Sequence, residues 1–532
     1  MNNNLPKTKT SNNGMVVSPH HASSDAGIEI LKQGGNAIEA TIAVASSLAI
    51  HYPHMTGIGG DAFWLIYDPK EGVSFIEASG YSGFDVNMSE YEGLKTIPFR
   101  GKLAANTAAG AVSAWDLAYK KSKNKWGGKI PSSILVEEAV NSGKRGIVVS
   151  ESLSQTLEEK KDELSLDKYF SEIYYPNGNT PQKGETLIQE KLAKTIETLG
   201  EKGFDDFYRG KIAEDIANDF EQRDGLLSIK DLKEHNASWK TPLEMKTSKG
   251  TLFNASAPTQ GVASLMILGL FDRWCEKLPK KDSSNHVHLL VEATKIAFRH
   301  RDKMDTAASA EELQAWIDPE YLDKLSLELD LEKAIPWGEN AAPGDTTWFG
   351  AIDSEGRVVS AIQSIYHEFG SGLTLPKTGI VWQNRGCSFA LDSTHIQALE
   401  PHKKPFHTLN PAIALFDDGR VMAYGTMGGD GQPQTQAAVF SRYAYYEEDL
   451  QTSINNPRWL LGRTWGNSSQ SLKLESRFDA RIIEQLKQKG HDLEILESLD
   501  SAVGHAGAIV LHPSKKIEGA YDPRSDGKAS SF

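Results

Sequence analysis

Four segments of the chain have the hydrophobic pattern of β-hairpins, in which two β-prone runs flank a short polar turn. They read LIYD-PKEG-VSFIEA from Leu65, WFGAI-DSEG-RVVSAI from Trp348, AIALF-DDG-RVMAYG from Ala412 and AIVLH-PSKK-IEGAY from Ala508. Turn residues between apolar runs of this length are typical of tight connections between antiparallel strands. The pattern therefore predicts antiparallel sheet in both halves of the chain.

Helical patterns dominate the segment 131–325, between the first hairpin and the other three. Nearer the N-terminus, Ser23 or Ser24 is a candidate cap for one helix, and Asn36 with Glu39 three residues later resembles the capping box of the next. Hairpin-rich ends around a helical middle predict an α+β fold, with helices packed outside stacked antiparallel sheets.

The composition is that of an ordinary globular protein, since 39% of the 532 residues are hydrophobic and 24% are charged. The formal net charge of −14 disfavours nucleic acid and anionic membranes as partners. The first residues lack the apolar core of a secretory signal, and no run approaches the roughly 18–20 apolar residues that cross a bilayer. We therefore expect a soluble, cytoplasmic protein.

Two cysteines, Cys275 and Cys387, are too few for a disulfide framework or a four-cysteine zinc site.

Sequence motifs for metals and cofactors are missing. No HExxH motif occurs, and no carboxylate stands at a diagnostic distance from the histidine clusters, which are His20 with His21, His51 with His54, and His402 with His407. The glycine-rich turns at 57–60 and 425–431 have neither the P-loop nor the GxGxxG spacing. We therefore predict neither a metal nor a cofactor.

Two features carry candidate chemistry. Thr346 and Thr347 follow a stretch of Gly, Pro, Asn and Asp and precede the second hairpin, although a threonine pair in a strand is unspecific by itself. The turn GTMGGDG at 425–431 follows a predicted strand and precedes a polar, helix-like stretch. Its backbone N–H groups could face an anion or a developing oxyanion, and a tight turn packed against a sheet is an equally good interpretation.

The order of the motifs along the chain is more specific than any one of them. The segments are GMVVSPHHASSDAGIEILKQGGNAIEA from Gly14, HYPHMTGIGGDAFWLIYD from His51, LAANTAAGAVSAWDLAY from Leu103, DGLLSIKDL from Asp224, VHLLVEATKIAFRHRD from Val287, GDTTWFGAIDSEGRVVSAI from Gly344, FGSG from Phe369, KPFHTLNPAIAL from Lys404 and GTMGGDGQPQ from Gly425. In this order they resemble the γ-glutamyltransferase family of N-terminal-nucleophile hydrolases over nearly the whole chain.

The resemblance implies a precursor that cleaves itself before a threonine. The matching bond joins Asp345 to Thr346, which would give a large chain of residues 1–345 and a small chain of residues 346–532 that stay associated as one unit. Thr346 would be the nucleophile in this cleavage and again in catalysis through an acyl-enzyme. The implied fold is a four-layer αββα sandwich without a cofactor, and whether the mature protein forms a homodimer stays open.

The amine released by cleavage would act as the base. An α-amino group with a pKa of about 7.7–8.0 is partly neutral at physiological pH and can take the proton of the threonine hydroxyl. In the family's pattern the N–H groups of Gly428 and Gly429 form the oxyanion hole, and Ser364 takes the place of a threonine that could hold the new amine. The structural alternatives are a tight turn for the glycines and an ordinary strand position for Ser364.

The chain departs from the family where that family binds glutamate. The arginine that binds the α-carboxylate is replaced by Ser79 or Gly80 in the segment EASGY. The family's serine pair corresponds to His407 and Thr408, and its asparagine corresponds to Tyr366. An ammonium group in such a site would be desolvated without a carboxylate partner, which costs several orders of magnitude in affinity.

Arg385 adds a positive charge where the family binds the substrate amine. It belongs to the segment QNRGCSF at 383–389, in which Ser388 replaces the family's aspartate. A guanidinium group repels an ammonium group and takes a carboxylate bidentately, unless it pairs with an internal acid such as Glu368. The candidate substrate-binding residues are Arg385, His407, Thr408 and Tyr366.

These observations leave three functional hypotheses. The leading one is a self-processing amidohydrolase acting on a small amide that carries a carboxylate, such as oxamate, in keeping with a similarity to the branch of the family that hydrolyses oxamate. The second is a γ-glutamyl hydrolase or transferase acting on glutathione. The third is a non-catalytic binding protein that keeps the fold and is never cleaved.

Overall fold

The computed structural model describes residues 5–278, 281–337, 346–462 and 469–532. Its β-strands are β1 (Lys9–Ser11), β2 (Met15–Ser18), β3 (Asp61–Asp68), β4 (Gly72–Ala78), β5 (Ile147–Val148), β6 (Thr186–Leu187), β7 (Ser238–Lys240), β8 (Leu243–Thr247), β9 (Gly250–Asn254), β10 (Thr347–Ile352), β11 (Val358–Ser364), β12 (Ala412–Phe416), β13 (Val421–Thr426), β14 (Trp459–Leu461), β15 (Leu472–Glu475), β16 (Leu493–Leu496), β17 (Ala506–Leu511), β18 (Ile517–Tyr521) and β19 (Lys528–Ser531).

Two seven-stranded sheets form the centre of the molecule. Sheet A has the strand order β1-β18-β17-β13-β12-β9-β8, and sheet B has the order β19-β2-β10-β11-β3-β4-β7. Neighbouring strands are antiparallel throughout both sheets. Shorter strands form two separate small sheets, β14-β15-β16 and β5-β6. The prediction of antiparallel sheet in both halves of the chain is confirmed.

Helices cover the outer faces of the two sheets. The α-helices are α1 (His21–Lys32), α2 (Ala37–His51), α3 (Ala111–Lys125), α4 (Ser132–Leu135), α5 (Glu137–Arg145), α6 (Glu151–Glu159), α7 (Lys161–Leu164), α8 (Lys168–Tyr174), α9 (Glu190–Lys202), α10 (Asp206–Arg209), α11 (Lys211–Glu221), α12 (Ile229–Glu234), α13 (Gly261–Asp272), α14 (Ser284–Arg301), α15 (Ala310–Gln314), α16 (Pro319–Ser326), α17 (Gln432–Ala444), α18 (Leu450–Asn455) and α19 (Ala480–Gln488). None of the helices in the described ranges is long and apolar enough to cross a membrane.

Contacts between elements give the order of the layers. Helices α1, α2 and α3 pack on sheet B, and helices α13, α17 and α18 pack on sheet A. The two sheets contact each other through their central strands, with β10 and β11 of sheet B against β13 and β17 of sheet A. The layers therefore run helix, sheet, sheet, helix, and the predicted four-layer αββα sandwich is confirmed.

Side chains of the central strands point alternately into two separate cores. In β10, Trp348 and Ile352 lie in the core between the sheets, whereas Phe349 and Ala351 lie in the core between sheet B and its helices. Successive side chains of a strand point to opposite faces, and both faces of this sheet are covered, so every residue of β10 is buried. The apolar composition of the strand follows from its place inside the sandwich.

All four predicted hairpins are present. They are formed by β3 with β4, β10 with β11, β12 with β13, and β17 with β18, each pair in antiparallel register. The capping box of Asn36 and Glu39 is also confirmed, since the Asn36 side chain accepts from the Glu39 N–H and the Glu39 carboxylate accepts from the Asn36 N–H. These features depend on residues close in sequence, which explains why they could be predicted.

The proposed cap of the first helix is wrong. Ser23 and Ser24 lie inside α1, which begins at His21, and both are fully buried. Their hydroxyl groups bond to other elements, Ser23 Oγ to Ser47 Oγ at 3.0 Å and Ser24 Oγ to the carbonyl oxygen of Lys528 at 2.8 Å. A serine can satisfy a tertiary hydrogen bond as well as a helix N-terminus, so local sequence does not distinguish the two roles.

The two sheets are in close contact at Trp348. Its indole ring lies over Gly425 of β13 and Gly507 of β17, which are paired across the two strands. A Cβ atom added to Gly425 would lie 2.1 Å from the Trp348 side chain, and one added to Gly507 would lie 2.3 Å from it. Both positions therefore require glycine, because any side chain would push the two sheets apart.

We expect the substitution Gly507→Ala to destabilise the protein by about 1–3 kcal/mol, since the new methyl group overpacks the core between the sheets. Urea unfolding followed by tryptophan fluorescence measures the change. Gly57→Ala is the matched control, because a Cβ atom there would meet its nearest neighbour at an ordinary 3.5 Å. Equal unfolding midpoints for the two variants would contradict this account of the sheet contact.

Candidate active site

Thr346 stands directly before β10 and is completely buried. Its Oγ1 donates to Ser364 Oγ at 3.4 Å and accepts from Gln432 Nε2 at 3.3 Å. Ser364 is the last residue of β11, and its Oγ also accepts from the N–H of Tyr366 at 2.8 Å. The pairing of β10 with β11 places the two hydroxyl groups side by side. Asp345, the other predicted residue at the cleavage site, lies outside the described residues.

The glycine-rich turn connects β13 to α17 and lies close to Thr346. Gly428 and Gly429 have φ angles of 118° and 50°, in the region that favours glycine. Within the described ranges, neither of their N–H groups donates a hydrogen bond. Consecutive N–H groups in such a turn form a concave anion-binding surface. The structure thus brings these two glycines into the same region as the predicted nucleophile.

Two glutamines hold this arrangement together, and the sequence analysis did not identify either. Gln432 opens α17; besides its contact with Thr346, its side-chain oxygen accepts from the N–H of Asn410 at 3.2 Å. Gln260 donates through Nε2 to the carbonyl oxygens of Thr408 and Gly429, both at 2.8 Å. The sequence could have identified Gln432 as a site residue, because it lies inside the GTMGGDGQPQ segment that resembles the family. Nothing in the sequence around Gln260 marks it.

Arg385 is the most unusual charged group of the site, since its side chain is only 1% exposed. Nη1 donates to the carbonyl oxygen of Phe406 at 2.9 Å, and Nη2 donates to Thr408 Oγ1 at 3.2 Å. The guanidinium carbon lies 3.4 Å from the centre of the Tyr366 ring. Arg385 is therefore in direct contact with two of the other predicted substrate-binding residues, Thr408 and Tyr366.

Arg385 forms no ion pair within the described part of the chain. No described carboxylate, Glu368 included, lies within ion-pair distance, and Nε is buried without a hydrogen-bond partner. Asp61 and Asp430 stabilise the positive charge only from a greater distance. Burial lowers the pKa of the guanidinium, although not enough to neutralise a group that titrates so far above neutral pH. A buried cation with an unused donor destabilises the folded protein unless another group supplies the missing acceptor.

His407, the fourth predicted binding residue, lies against Asp61. His407 Nε2 is 3.0 Å from Asp61 Oδ2, but the angles fall short of a hydrogen bond, and both ring nitrogens lack a partner among the described residues. Burial, together with the nearby Arg385 charge, holds the pKa of His407 well below its usual range, so the ring is neutral. Burial also raises the pKa of Asp61 to about 6.

Asp61 is a third residue that the sequence analysis did not identify. It is the first residue of β3 and pairs directly with Ser364 across the sheet. Its Oδ1 accepts from the N–H groups of Gly80 and Gly110 at 3.0 and 2.9 Å, and from Gln383 Nε2 at 3.1 Å. These three donors fix the carboxylate, so its second oxygen is directed to His407.

Known proteins match this chain over almost its whole length. A family model described as gamma-glutamyltranspeptidase matches residues 23–532. The chain belongs to the γ-glutamyltranspeptidase family. It is 47% identical over 530 residues to the oxamate amidohydrolase proenzyme of Klebsiella pneumoniae, covering 99% of this chain and 100% of that protein. It is 37% identical over 518 residues to the glutathione hydrolase-like YwrD proenzyme of Bacillus subtilis, covering 97% and 98%.

Solved structures agree with this assignment. The crystal structure of cephalosporin acylase from Bacillus halodurans superimposes with a TM-score of 0.88 at 28% sequence identity, covering 99% of this chain and 97% of that one. The predicted family and fold are confirmed. This protein is an enzyme of the γ-glutamyltranspeptidase family, which argues against the third hypothesis of a non-catalytic binding protein.

One group of side chains in the described ranges has the composition of a metal site. His288, Glu292 and His491 are buried with their candidate ligand atoms within 4.8 Å of one another. However, Lys295 Nζ donates to Glu292 Oε1 at 2.7 Å, and the N–H of Ile335 donates to Glu292 Oε2 at 2.6 Å. The carboxylate is thus already paired with an ammonium group, which would repel a divalent cation. We assign no metal to this group.

We expect Gln260→Leu to destabilise the protein by about 1–3 kcal/mol, because the buried carbonyl oxygen of Thr408 loses its Gln260 donor and that of Gly429 keeps only the N–H of Gln432. Urea unfolding at neutral pH measures the effect. Gln155→Leu is a suitable control, since Gln155 is exposed and donates only to a neighbouring side chain. The role given to Gln260 fails if the two variants unfold at the same urea concentration.

Proposed function

We propose that this protein is a self-processing amidohydrolase that uses Thr346 as an N-terminal nucleophile and hydrolyses a small amide bearing a carboxylate, such as oxamate. The observation that carries the proposal is the buried guanidinium of Arg385, which has an unused donor and no carboxylate partner in the described structure. A substrate carboxylate would complete that site. Arg385 is linked to Thr346 by its stacking on Tyr366, whose N–H donates to Ser364.

Maturation would begin with the hydroxyl group of Thr346. Its Oγ1 attacks the carbonyl carbon of Asp345, and the acyl group moves from the nitrogen of Thr346 to its oxygen. This shift frees the amine of Thr346, and water then hydrolyses the ester to release the α-carboxylate of Asp345 and the hydroxyl group of Thr346. The hydrogen bonds from Thr346 Oγ1 to Ser364 and from Gln432 to Thr346 Oγ1 support this role, because they orient the hydroxyl group within the buried site.

Catalysis would repeat the attack on the substrate amide. The new amine takes the proton of the Thr346 hydroxyl and passes it to the departing ammonia, while Oγ1 forms the acyl-enzyme that water later hydrolyses. Ser364 Oγ, which is close to Thr346 in the uncut chain, holds the amine. The free N–H groups of Gly428 and Gly429 receive the oxyanion, and losing such a donor costs roughly 10²–10³ in turnover.

Arg385 would select the acyl group by charge. Its guanidinium takes the carboxylate next to the scissile carbonyl, with Thr408 Oγ1 and the Phe406 carbonyl holding the guanidinium in place. The same charge repels the ammonium group of a γ-glutamyl substrate. The similarity to an oxamate amidohydrolase at 47% identity supports this choice, and the similarity to a glutathione hydrolase-like protein keeps glutathione as the second candidate.

The proposed large chain 1–345 and small chain 346–532 would form one structural unit. In sheet B, β10 and β11 of the small chain lie between β2 and β3 of the large chain. In sheet A, β12 and β13 of the small chain continue the sheet that contains β8 and β9. Separating the chains would break hydrogen-bonded ladders in both sheets, so they should stay associated after cleavage.

Purified protein should run on a denaturing gel as two bands, with masses expected for residues 1–345 and 346–532, and N-terminal sequencing of the smaller band should begin at Thr346. The variant Thr346→Ala should remain a single band at 58.4 kDa, because it lacks the attacking hydroxyl group. The control Thr347→Ser keeps the neighbouring threonine position hydroxylated and should cleave. Cleavage of Thr346→Ala at the same bond would refute the proposed nucleophile.

Mature protein should release ammonia from oxamate and no glutamate from glutathione. We expect Arg385→Gln to lower kcat/KM for oxamate by at least about 100-fold, since the substrate carboxylate loses its charged partner. Arg385→Lys should retain part of the activity, because it keeps the charge without the bidentate geometry. Arg420→Gln, a substitution at an arginine that pairs with Asp418, serves as the control. Glutamate release without ammonia from oxamate would favour the second candidate.

A further inference from the structure

The ends of three neighbouring strands form a row that starts at Thr346. Thr346 precedes β10, Ser364 ends β11, and Asp61 begins β3. Ser364 and Asp61 are directly opposite each other in an antiparallel pair, so their side chains project from the same face of sheet B. The hydroxyl group of Ser364 contacts Thr346 Oγ1, so this is the face on which the reacting group lies.

The spacing of these strands gives a distance with which the length of the acyl group can be compared. Strands in a sheet are about 4.8 Å apart, so β3 lies about 10 Å from β10. Asp61 is held at that distance by three hydrogen bonds to one of its oxygens. The Asp61 carboxylate thus projects from a position two strands away from the nucleophile.

His407 lies in front of Asp61 and cannot easily move away. Its N–H donates to the carbonyl oxygen of Pro258 at 2.9 Å, and its own carbonyl oxygen accepts from the N–H of Gln260 at 3.1 Å. The imidazole packs edge-on against Phe63 at 4.9 Å between ring centres and is 3.0 Å from the Asp61 carboxylate. A rigid, buried ring therefore occupies this end of the site.

Arg385 would hold the substrate carboxylate beside this ring. Its two terminal nitrogens bond to the residues that flank His407 along the chain, Phe406 and Thr408. A longer acyl group would have to carry its carboxylate past the guanidinium and towards Asp61. Two carboxylates would then meet in a buried site, and the neutral His407 ring supplies no charge between them.

We propose that His407, packed against Asp61 and Phe63, is the end wall of the acyl-binding site and restricts the enzyme to acyl groups whose carboxylate is bonded directly to the scissile carbonyl. This inference rests on the proposed function and adds its length specificity. His407 acts here by its volume, and an extra methylene that meets such a wall costs about 10–200-fold in selectivity.

The test uses binding, which does not depend on turnover. Oxalate, malonate, succinate and glutarate are titrated into mature protein, and their dissociation constants are measured by calorimetry at constant ionic strength. We expect wild-type affinity to fall at least about tenfold for each added methylene, with oxalate the tightest. In His407→Ser the preference for oxalate over succinate should shrink by at least about tenfold, because the shorter side chain opens the end of the site.

Two further variants separate volume from general damage. His407→Gln keeps most of the side-chain volume and should retain the preference for oxalate. His402→Ser makes the same chemical change five residues away, where the ring stacks outside the site on Tyr81 and Phe84, and should behave as wild type. A wild-type protein that binds succinate as tightly as oxalate, or a His407→Ser variant with unchanged preference, would overturn the end-wall proposal.

The two proposals have separate points of failure. Wild-type protein that binds oxalate with the expected length preference but releases no ammonia from oxamate would refute the proposed function and leave the end wall supported. Ammonia released equally from oxamate, malonamate and succinamate would support the amidohydrolase and refute the end wall. Absence of oxalate binding to the mature protein would count against the end wall, because no acyl-binding site would then be shown to end there.

Discussion

The position of Thr346 depends on the pairing of β10 with its two neighbours in the middle of sheet B. Backbone N–H and C=O groups inside a sandwich must be paired, so β10 cannot slide without losing ladder hydrogen bonds to β2 and β11 and turning its apolar faces over. Thr346, the residue just before β10, is therefore held as firmly as the strand. The register of β10 with β11 determines which side chains surround its hydroxyl group, and Ser364 is one of them.

The second sheet completes the site from the opposite side. β13 of sheet A leads into the turn with Gly428 and Gly429, and the segment before β12 carries His407 and Thr408. Trp348 defines the spacing of the sheets by lying on two glycines of sheet A. The site is thus built across the contact between the sheets, and a change in that spacing would move the glycine turn relative to Thr346.

The buried charge of Arg385 destabilises the folded protein as long as no substrate is bound. A guanidinium group that is almost fully buried, with no ion pair in the described structure and one donor unused, is unfavourable by itself. Hydrogen bonds to the Phe406 carbonyl and Thr408 Oγ1 and stacking on Tyr366 offset part of that cost. A bound carboxylate would offset the rest of this cost. A negatively charged ligand should therefore stabilise the site.

Arg385 would select the acyl group by its charge, and Asp61 and His407 would select it by its length. Asp61 opens β3 directly opposite Ser364, so its distance from Thr346 is set by the strand spacing of sheet B. His407 comes from the chain segment that also carries Thr408, and it fills the space in front of the carboxylate. In the end-wall proposal, one residue from each side of the proposed cleavage point would thus close the site.

The sequence by itself determined the features that depend on neighbouring residues or on a recognisable order of motifs. The four hairpins and the capping box of Asn36 are of the first kind, because turn chemistry and capping act over short distances. The αββα fold is of the second kind, since the order of motifs along the chain implied it through the family. The positions of Thr346 and the glycine turn could also be named in advance. Their closeness in space was implied only through the family.

Only the tertiary structure decided which side chains share a site. Ser23 and Ser24 lie inside a helix because their hydroxyl groups bond to distant elements. Gln260 and Asp61 were identified as candidate site residues only by their contacts with segments far along the chain. Hydrogen bonding and charge pairing depend on distance in space, which a linear pattern does not contain until the sheets have fixed it.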